Sequence, residues 1–297
     1  MITAVILTYN ESRHLPRCLE SVSHVADRVV VADCYSTDDT VAIARDQGAR
    51  VIQKEWINYA DQFNWALKQL SQDTQWVLRI DADEFLTDEL VEEIRRKVPL
   101  LDDRVAGVEV NRRMTFLGRP IRHGGVFPIR VLRLFRHGRG RCENRWMDEH
   151  ILVDGETVQF EGELIDDNLN SLTWWTDKHN RYASREAVDL LNLEYGFMEM
   201  ESVAGERGRS QAGTKRWIKE HIYARLPGGF RAFAYFFYRY FLRLGFLDGQ
   251  EGTAFHFLQG FWYRYLVDAK VAEVKRYMEA RGVDVETAIR EVLGVEV

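Results

Sequence analysis

Four runs rich in β-branched residues, ITAVILT, DRVVVAD, ARVIQ and QWVLRID, alternate up to Asp81 with stretches long enough for a helix. Those stretches are SRHLPRCLESVS, TDDTVAIARDQG and NYADQFNWALKQLS. Strand and helix repeated in this order imply parallel strands joined by right-handed crossovers, the start of a doubly wound α/β sheet. Thr37 is expected to cap the second helix and Gly48 to end it, with Asn58 capping the third. In open sheets of this kind ligands bind beyond the carboxyl ends of the strands. That rule gathers four polar groups on one rim. Thr8, Asn10 and Glu11 follow the first strand, and Asp33 ends the second. Gln62 and Asn64 lie in the segment after the third, and Asp81, Asp83 and Glu84 follow the fourth.

The fourth group, in RIDADEF, places three carboxylates within four positions. Their mutual repulsion costs free energy unless a cation, a donor or solvent offsets it. In Asp81-Ala82-Asp83 the backbone is still extended, so both carboxylates point the same way along the rim. Mg²⁺ and Mn²⁺ are usually held by one or two carboxylates, with a substrate's phosphate oxygens completing the shell. Two acids held this way can bind a divalent cation through one carboxylate and hydrogen-bond a hydroxyl through the other.

From about Val105 the pattern changes to shorter strands and turns, with glycines at Gly118, Gly138 and Gly155, and reads as a mixed continuation of the same sheet. After Leu169 it becomes helical, near 170–197, 210–225, 228–247 and 253–281. The expected organisation is a mixed α/β domain over 1–168 and a helical region over 169–297. With 46% hydrophobic and 29% charged residues the chain is globular. Cys18, Cys34 and Cys142 have no metal-ligand spacing, so a reduced cytosolic compartment is expected. The start, MITAVILTYNES, reads as a core strand and not a signal peptide. No charge-free apolar stretch reaches the roughly 20 residues of a spanning helix.

Several stretches together resemble an inverting family 2 glycosyltransferase with the GT-A fold: VILTYNE, VADCYSTDDTVAIARDQGARVI, NYADQFNWAL and WVLRIDADEF. A subgroup acting on lipopolysaccharide-core or lipid-linked glycans is similar further on, through RHGGVFPIRVLRLFR, RWMDEHI and LGFLDGQEGTAFHFLQGFWYRYLVDAK. The resemblance implies a Rossmann-like mixed sheet flanked by helices and a nucleotide-sugar donor, most often a UDP-sugar. It implies that Thr8, Asn10 and Glu11 line the nucleoside pocket and that Asp33 contacts base or ribose. Gln62 and Asn64 would sit near the nucleotide, Asp81 near the ribose, and Asp83 on a Mn²⁺ or Mg²⁺ ion bridging the diphosphate. One departure is Asp33-Cys34-Tyr35-Ser36 where the family commonly shows Asp-Ser-Gly-Ser, which bears on base identity and loop conformation.

Inverting transfer needs a carboxylate to take the acceptor's proton and a positive centre for the leaving diphosphate. By motif position Glu149 is the expected base and Asp148 its rival, while His150 is a candidate for the metal or for orienting the diphosphate. Arg133 and Arg136 are candidates for diphosphate or acceptor charge, with fold-stabilising ion pairs as the competing role. The net charge of −6 hides segregation: from Arg207 to Arg243 Glu220 is the only acid, and aromatics interleave the basic residues. Such helices lie in a membrane interface against anionic headgroups, and a homodimer core is the competing use. Nucleic acid is not expected, given the acidic total. The expected protein is thus peripheral on the cytoplasmic face of the membrane, taking a lipid-linked or lipopolysaccharide-type glycan acceptor. Two rivals are a nucleotidyltransferase, whose Gly-rich basic loop TYNESRH lacks, and a catalytically silent membrane-associated scaffold that binds sugar nucleotide.

Overall fold

A computed structural model describes residues 1–143, 150–198 and 229–297. They form two compact units: the first takes residues 1–122, 126–143 and 150–169, and the second 123–125, 170–198 and 229–297.

In the first unit β1 (Ile2–Thr8), β2 (Arg28–Asp33), β3 (Arg50–Gln53) and β4 (Trp76–Asp81) run parallel. The crossovers are α1 (Leu15–Ser23), α2 (Thr40–Asp46) and α3 (Tyr59–Lys68). Strand residues alternate between two buried faces, which is why these strands read as unbroken apolar runs. Ala4, Ile6, Leu78 and Ile80 pack in one core with Leu15, Leu19 and Val22 of α1. Val5, Val30, Ala32 and Val77 pack in the other with Ala60, Phe63 and Ala66 of α3. Asn58 caps α3 as expected, its side chain accepting from the Asp61 N–H at 2.8 Å. Thr37 does not cap α2: Asp39 stands at that N-cap without a side-chain bond, and the Thr37 N–H donates to Asn10 Oδ1 instead.

The sheet continues through β5 (Glu84–Leu86), β6 (Val105–Phe116), β7 (Arg119–Pro120) and β8 (Ile129–Arg136) to β11 (Glu156–Asp167). Its nine strands lie in the order β3-β2-β1-β4-β8-β6-β11-β5, with β7 beside β6. The expectation of shorter strands after Val105 fails for β6 and β11, which have 12 residues each and pair in parallel. An irregularity between Gln159 and Glu163 hides this length from a period-two pattern. There Glu93 of α4 (Asp88–Lys97) accepts from the Glu161 and Gly162 N–H groups at 2.9 and 2.8 Å. A Cβ on Gly162 would come within 2.5 Å of the Leu90 backbone, so glycine is required for α4 to seat on β11. A small ribbon pairs β9 (Gly140–Cys142) with β10 (Ile151–Val153). Because β8 is antiparallel to both β4 and β6, the ends of β1, β2, β4, β6 and β11 share one rim with the start of β8. This is the mixed, helix-flanked sheet of a GT-A-like fold.

The second unit contains α5 (Leu172–Tyr195), α6 (Phe230–Phe237), α7 (Gly249–Phe257), α8 (Tyr263–Arg281) and α9 (Val285–Leu293). Single π-helical turns extend α6 through Leu242 and join α7 to α8. Val188 and Leu191 pack with Val274, Ala288 and Ile289, and Ala183 and Ala187 with Tyr263 and Val267. The last helix, α9, lies beyond the helical pattern read from sequence, and the helix expected near 210–225 lies outside the described residues.

Candidate active site

The compensating charge for the acids of RIDADEF is in large part a protein side chain. Arg133, whose side chain is 4% exposed, reaches from β8 to Asp81 Oδ2 at 3.2 Å and makes a short charged hydrogen bond to Glu84 Oε1. Tyr59 donates to Asp81 Oδ1 at 2.8 Å and is itself held by Arg79 Nε at 2.8 Å. Burial alone would raise the Asp81 carboxyl, but Arg133, Arg79 and the Tyr59 hydroxyl overcome it and hold Asp81 well below the usual carboxylate range. Burial pushes Glu84 up to about 8, against the pull of Arg133 and with Asp81 adding repulsion. Within the trio, Asp81 is thus favoured as the carboxylate facing the Arg133 cation, while burial disfavours the charge on Glu84. Of the two roles open to Arg133 it takes the buried ion pair. One expectation is corrected: Asp81 has both oxygens engaged, so it does not fit as a metal ligand. Arg136 lies at the far end of β8, donating to the Val105 and Asp102 carbonyls and stacking on Trp76 at 4.7 Å, away from the rim.

Asp83 is held differently. Its Oδ2 accepts from Asn168 Nδ2 at 3.0 Å and its carbonyl from the Asp167 N–H at 3.0 Å, while among the described residues nothing donates to Oδ1. Asp166, at the end of β11, is pushed up to about 6 by burial and by the Asp83 charge, with Arg112 opposing from 3.8 Å. Asp166 and Asp83 together offer hard oxygen donors of the kind suited to Mg²⁺ or Mn²⁺. Among the described residues no group of three or more His, Cys, Asp or Glu side chains is arranged to hold a metal. A site of this kind would need substrate oxygens to complete the shell. Asp166 and Asn168 were missed in the sequence, although LIDDN repeats the signal of RIDADEF, acids directly after an apolar run.

At the ends of β1 and β2 the predicted residues come together, mostly bonded to one another. Asp33 is fully buried and accepts from Thr8 Oγ1, the Ser36 hydroxyl and N–H, and Gln53 Nε2. Thr8 and Asp33 thus shape the rim loop; all four donors would have to move before Asp33 could meet a base or ribose. Asn10 (φ +56°) and Tyr35 (φ +58°) are both left-handed. Asn10 ties the two loops, its N–H donating to Ser36 Oγ and its Oδ1 accepting from the Thr37 N–H, each at 2.8 Å. Tyr35 keeps a backbone shape that glycine adopts without strain, so the departure from Asp-Ser-Gly-Ser alters the side chain and preserves the turn. Tyr9 and Tyr35, both exposed, present aromatic surface at these strand ends. Glu11 accepts from His14 Nδ1 at 2.6 Å, and His14 Nε2 accepts from the Leu169 N–H, which fixes the tautomer and makes Glu11 an orienting group.

Gln62 and Asn64 are corrected from the nucleotide pocket to the framework. Gln62 is fully buried, donating to the Ala32 carbonyl and accepting from Cys34 Sγ. Asn64 brackets the Cys142 backbone, accepting from its N–H at 2.9 Å and donating to its carbonyl at 2.8 Å. His150 Nδ1 lies 3.1 Å from Glu143 Oε1, a buried carboxylate that also accepts from the His150 N–H. That pairing occupies one ring nitrogen. Asp148 and Glu149 lie outside the described residues.

Residues 3–147 match the family model described as Glycosyl transferase family 2. An uncharacterized glycosyltransferase of Rickettsia conorii is 48% identical over 93 residues, covering 31% of this chain and 32% of that protein. The lipopolysaccharide core biosynthesis glycosyltransferase LpsC of Rhizobium meliloti is 34% identical over 160 residues, covering 52% of this chain and 58% of that protein. The chain therefore matches less than two thirds of the length of either relative. Among solved structures, glucosyl-3-phosphoglycerate synthase from Mycobacterium tuberculosis, in complex with Mn²⁺, UDP and glucosyl-3-phosphoglycerate, is 25% identical with a TM-score of 0.32, covering 38% of this chain and 44% of that one.

Proposed function

From the glycosyl transferase family 2 domain that residues 3–147 carry, we propose that this protein moves a sugar, with inversion, from a nucleotide-sugar donor to a glycan acceptor. The observation that carries the reading is Asp83: of the three acids after β4 it alone is left without a cationic partner among the described residues, on the rim where parallel sheets take ligands. Asp83, with Asp166 beside it, would hold Mn²⁺ or Mg²⁺. When bound, such an ion supplies positive charge to the leaving diphosphate. Asp81, fixed by Tyr59 and Arg133, orders the strand end from which Asp83 projects. Tyr9 and Tyr35 offer aromatic faces for a base, which suits a uridine nucleotide among others.

The acceptor hydroxyl attacks the anomeric carbon as the nucleoside diphosphate leaves from the opposite face, and a carboxylate takes the hydroxyl proton. Glu149 is the proposed base and Asp148 the alternative. The proposed acceptor is a lipopolysaccharide-type or lipid-linked glycan, a class supported by the name of the Rhizobium meliloti relative. The proposed setting is the cytoplasmic membrane face, where a soluble donor and a lipid-linked acceptor can meet. The test is Glu149→Gln assayed with UDP-sugars and such acceptors. Donor affinity should be retained while transfer falls about 10²- to 10⁴-fold. Near-normal transfer, with loss in Asp148→Asn instead, would move the base to Asp148. No transfer by the wild type with any donor and acceptor would favour the silent-scaffold reading.

A further inference from the structure

Helix α6 is built inside out. Arg231 and Arg239 are 7% and 1% exposed, whereas Phe230, Phe233, Phe237 and Phe241 are 63%, 55%, 44% and 48% exposed. Both buried arginines are bonded within the unit, apart from Arg239 Nε, which has no partner among the described residues. Arg231 Nε donates to Asp268 Oδ1 at 2.8 Å, and Arg239 bonds Gln259 and lies 3.1 Å from His256 Nδ1. The four phenylalanines, spaced three, four and four apart, form one stripe along the helix. Ring contacts carry that stripe across the neighbouring helix. Phe237 meets Phe241 at 5.0 Å, Phe241 meets Tyr240 at 5.1 Å, and Phe236 meets Phe257 at 6.1 Å. At the tip of the turn Leu244, Phe246 and Leu247 are also exposed, Leu244 in a left-handed conformation.

Soluble surfaces tolerate scattered apolar side chains, but a continuous aromatic face rimmed by charge marks an interaction site. We infer that this face docks on an anionic lipid bilayer, rings in the acyl boundary and helix axis along the surface. Two observations select that occupant. Directly upstream, Arg207, Arg209, Lys215, Arg216, Lys219 and Arg225 stand against Glu220 as the only acid, a sequence that complements anionic headgroups. A second copy of this chain carries the same basic sequence and so offers it no complementary charge. Among the described residues no helix is long and apolar enough to cross a membrane, so the aromatic face enters the interface and does not span it. The inference stands apart from the transfer reaction, since it rests on the helical unit alone.

The test is co-sedimentation of the full chain with phosphatidylcholine vesicles, with and without phosphatidylglycerol, comparing wild type with the triple substitution Phe233→Asp, Phe237→Asp, Phe241→Asp. All three side chains are exposed, and retained far-UV circular dichroism and UDP affinity would establish that the variant folds. The wild type should bind phosphatidylglycerol vesicles and weaken with added salt, and the variant should bind about tenfold less or worse. Equal binding by the variant, or no binding by the wild type, overturns the inference. So does a dimer by light scattering that the variant loses while vesicles capture neither form. Loss of transfer with vesicle binding intact would count against the proposed reaction and leave the docking surface standing.

Discussion

Arg133 does what the sequence reading assigned to a metal, and the reason is positional: its strand runs antiparallel to β4 and delivers it to Asp81 and Glu84. Removing it should leave two buried acids with too little compensation. Arg133→Met is therefore expected to cost about 3–5 kcal/mol in chemical denaturation, and adding Glu84→Gln should recover part of that. The same trio sets a pH dependence. Glu84 is raised from 4.5 to about 8, so the folded protein keeps a proton that the unfolded chain releases. Stability should fall as pH rises from about 4.5 through about 8, and Glu84→Gln should flatten that slope. Asp81 acts in the opposite sense: its depressed carboxyl stabilises above its unfolded value of 3.8, and that contribution is lost as pH falls through the lower folded one. At Tyr35, glycine would relieve the left-handed backbone while losing more chain entropy, two effects of about 1 kcal/mol each. Tyr35→Gly should thus be near neutral in stability and weaken UDP severalfold by calorimetry. Unchanged affinity would remove the ring from the donor pocket.

The crossovers of the first sheet could be read from the sequence because each strand is buried on both faces and each helix shows one apolar stripe. The later strands could not, since the irregularity at Gly162 breaks the alternation that reveals a long strand. The rim was readable as a location, from topology, but not as a set of partners. Gln62 and Asn64 are polar residues on a rim-side helix, and it is the tertiary packing that turns their amides to Ala32, Cys34 and Cys142. Asn64 grips the Cys142 backbone at the end of β9, which precedes RWMDEH in the sequence. Asn64→Ala should lose two backbone hydrogen bonds, about 1–3 kcal/mol. It should lower transfer while leaving UDP affinity within about threefold, since its contacts are not in the proposed donor pocket. A parallel loss of donor binding would place Asn64 back at the nucleotide.

For the whole molecule, the proposed division of work gives the donor rim to the mixed sheet and membrane contact to the apolar face of the helical unit. The central claim concerns the rim, that Asp83 supports a divalent-cation-dependent nucleotide-sugar site while Asp81 and Glu84 are neutralised from within. Calorimetric titration with UDP tests it most directly, run with Mn²⁺, then with EDTA, on the wild type and on Asp83→Ala. Binding with Mn²⁺ should disappear with EDTA and in the variant. UDP binding of equal strength under all of these conditions would contradict it.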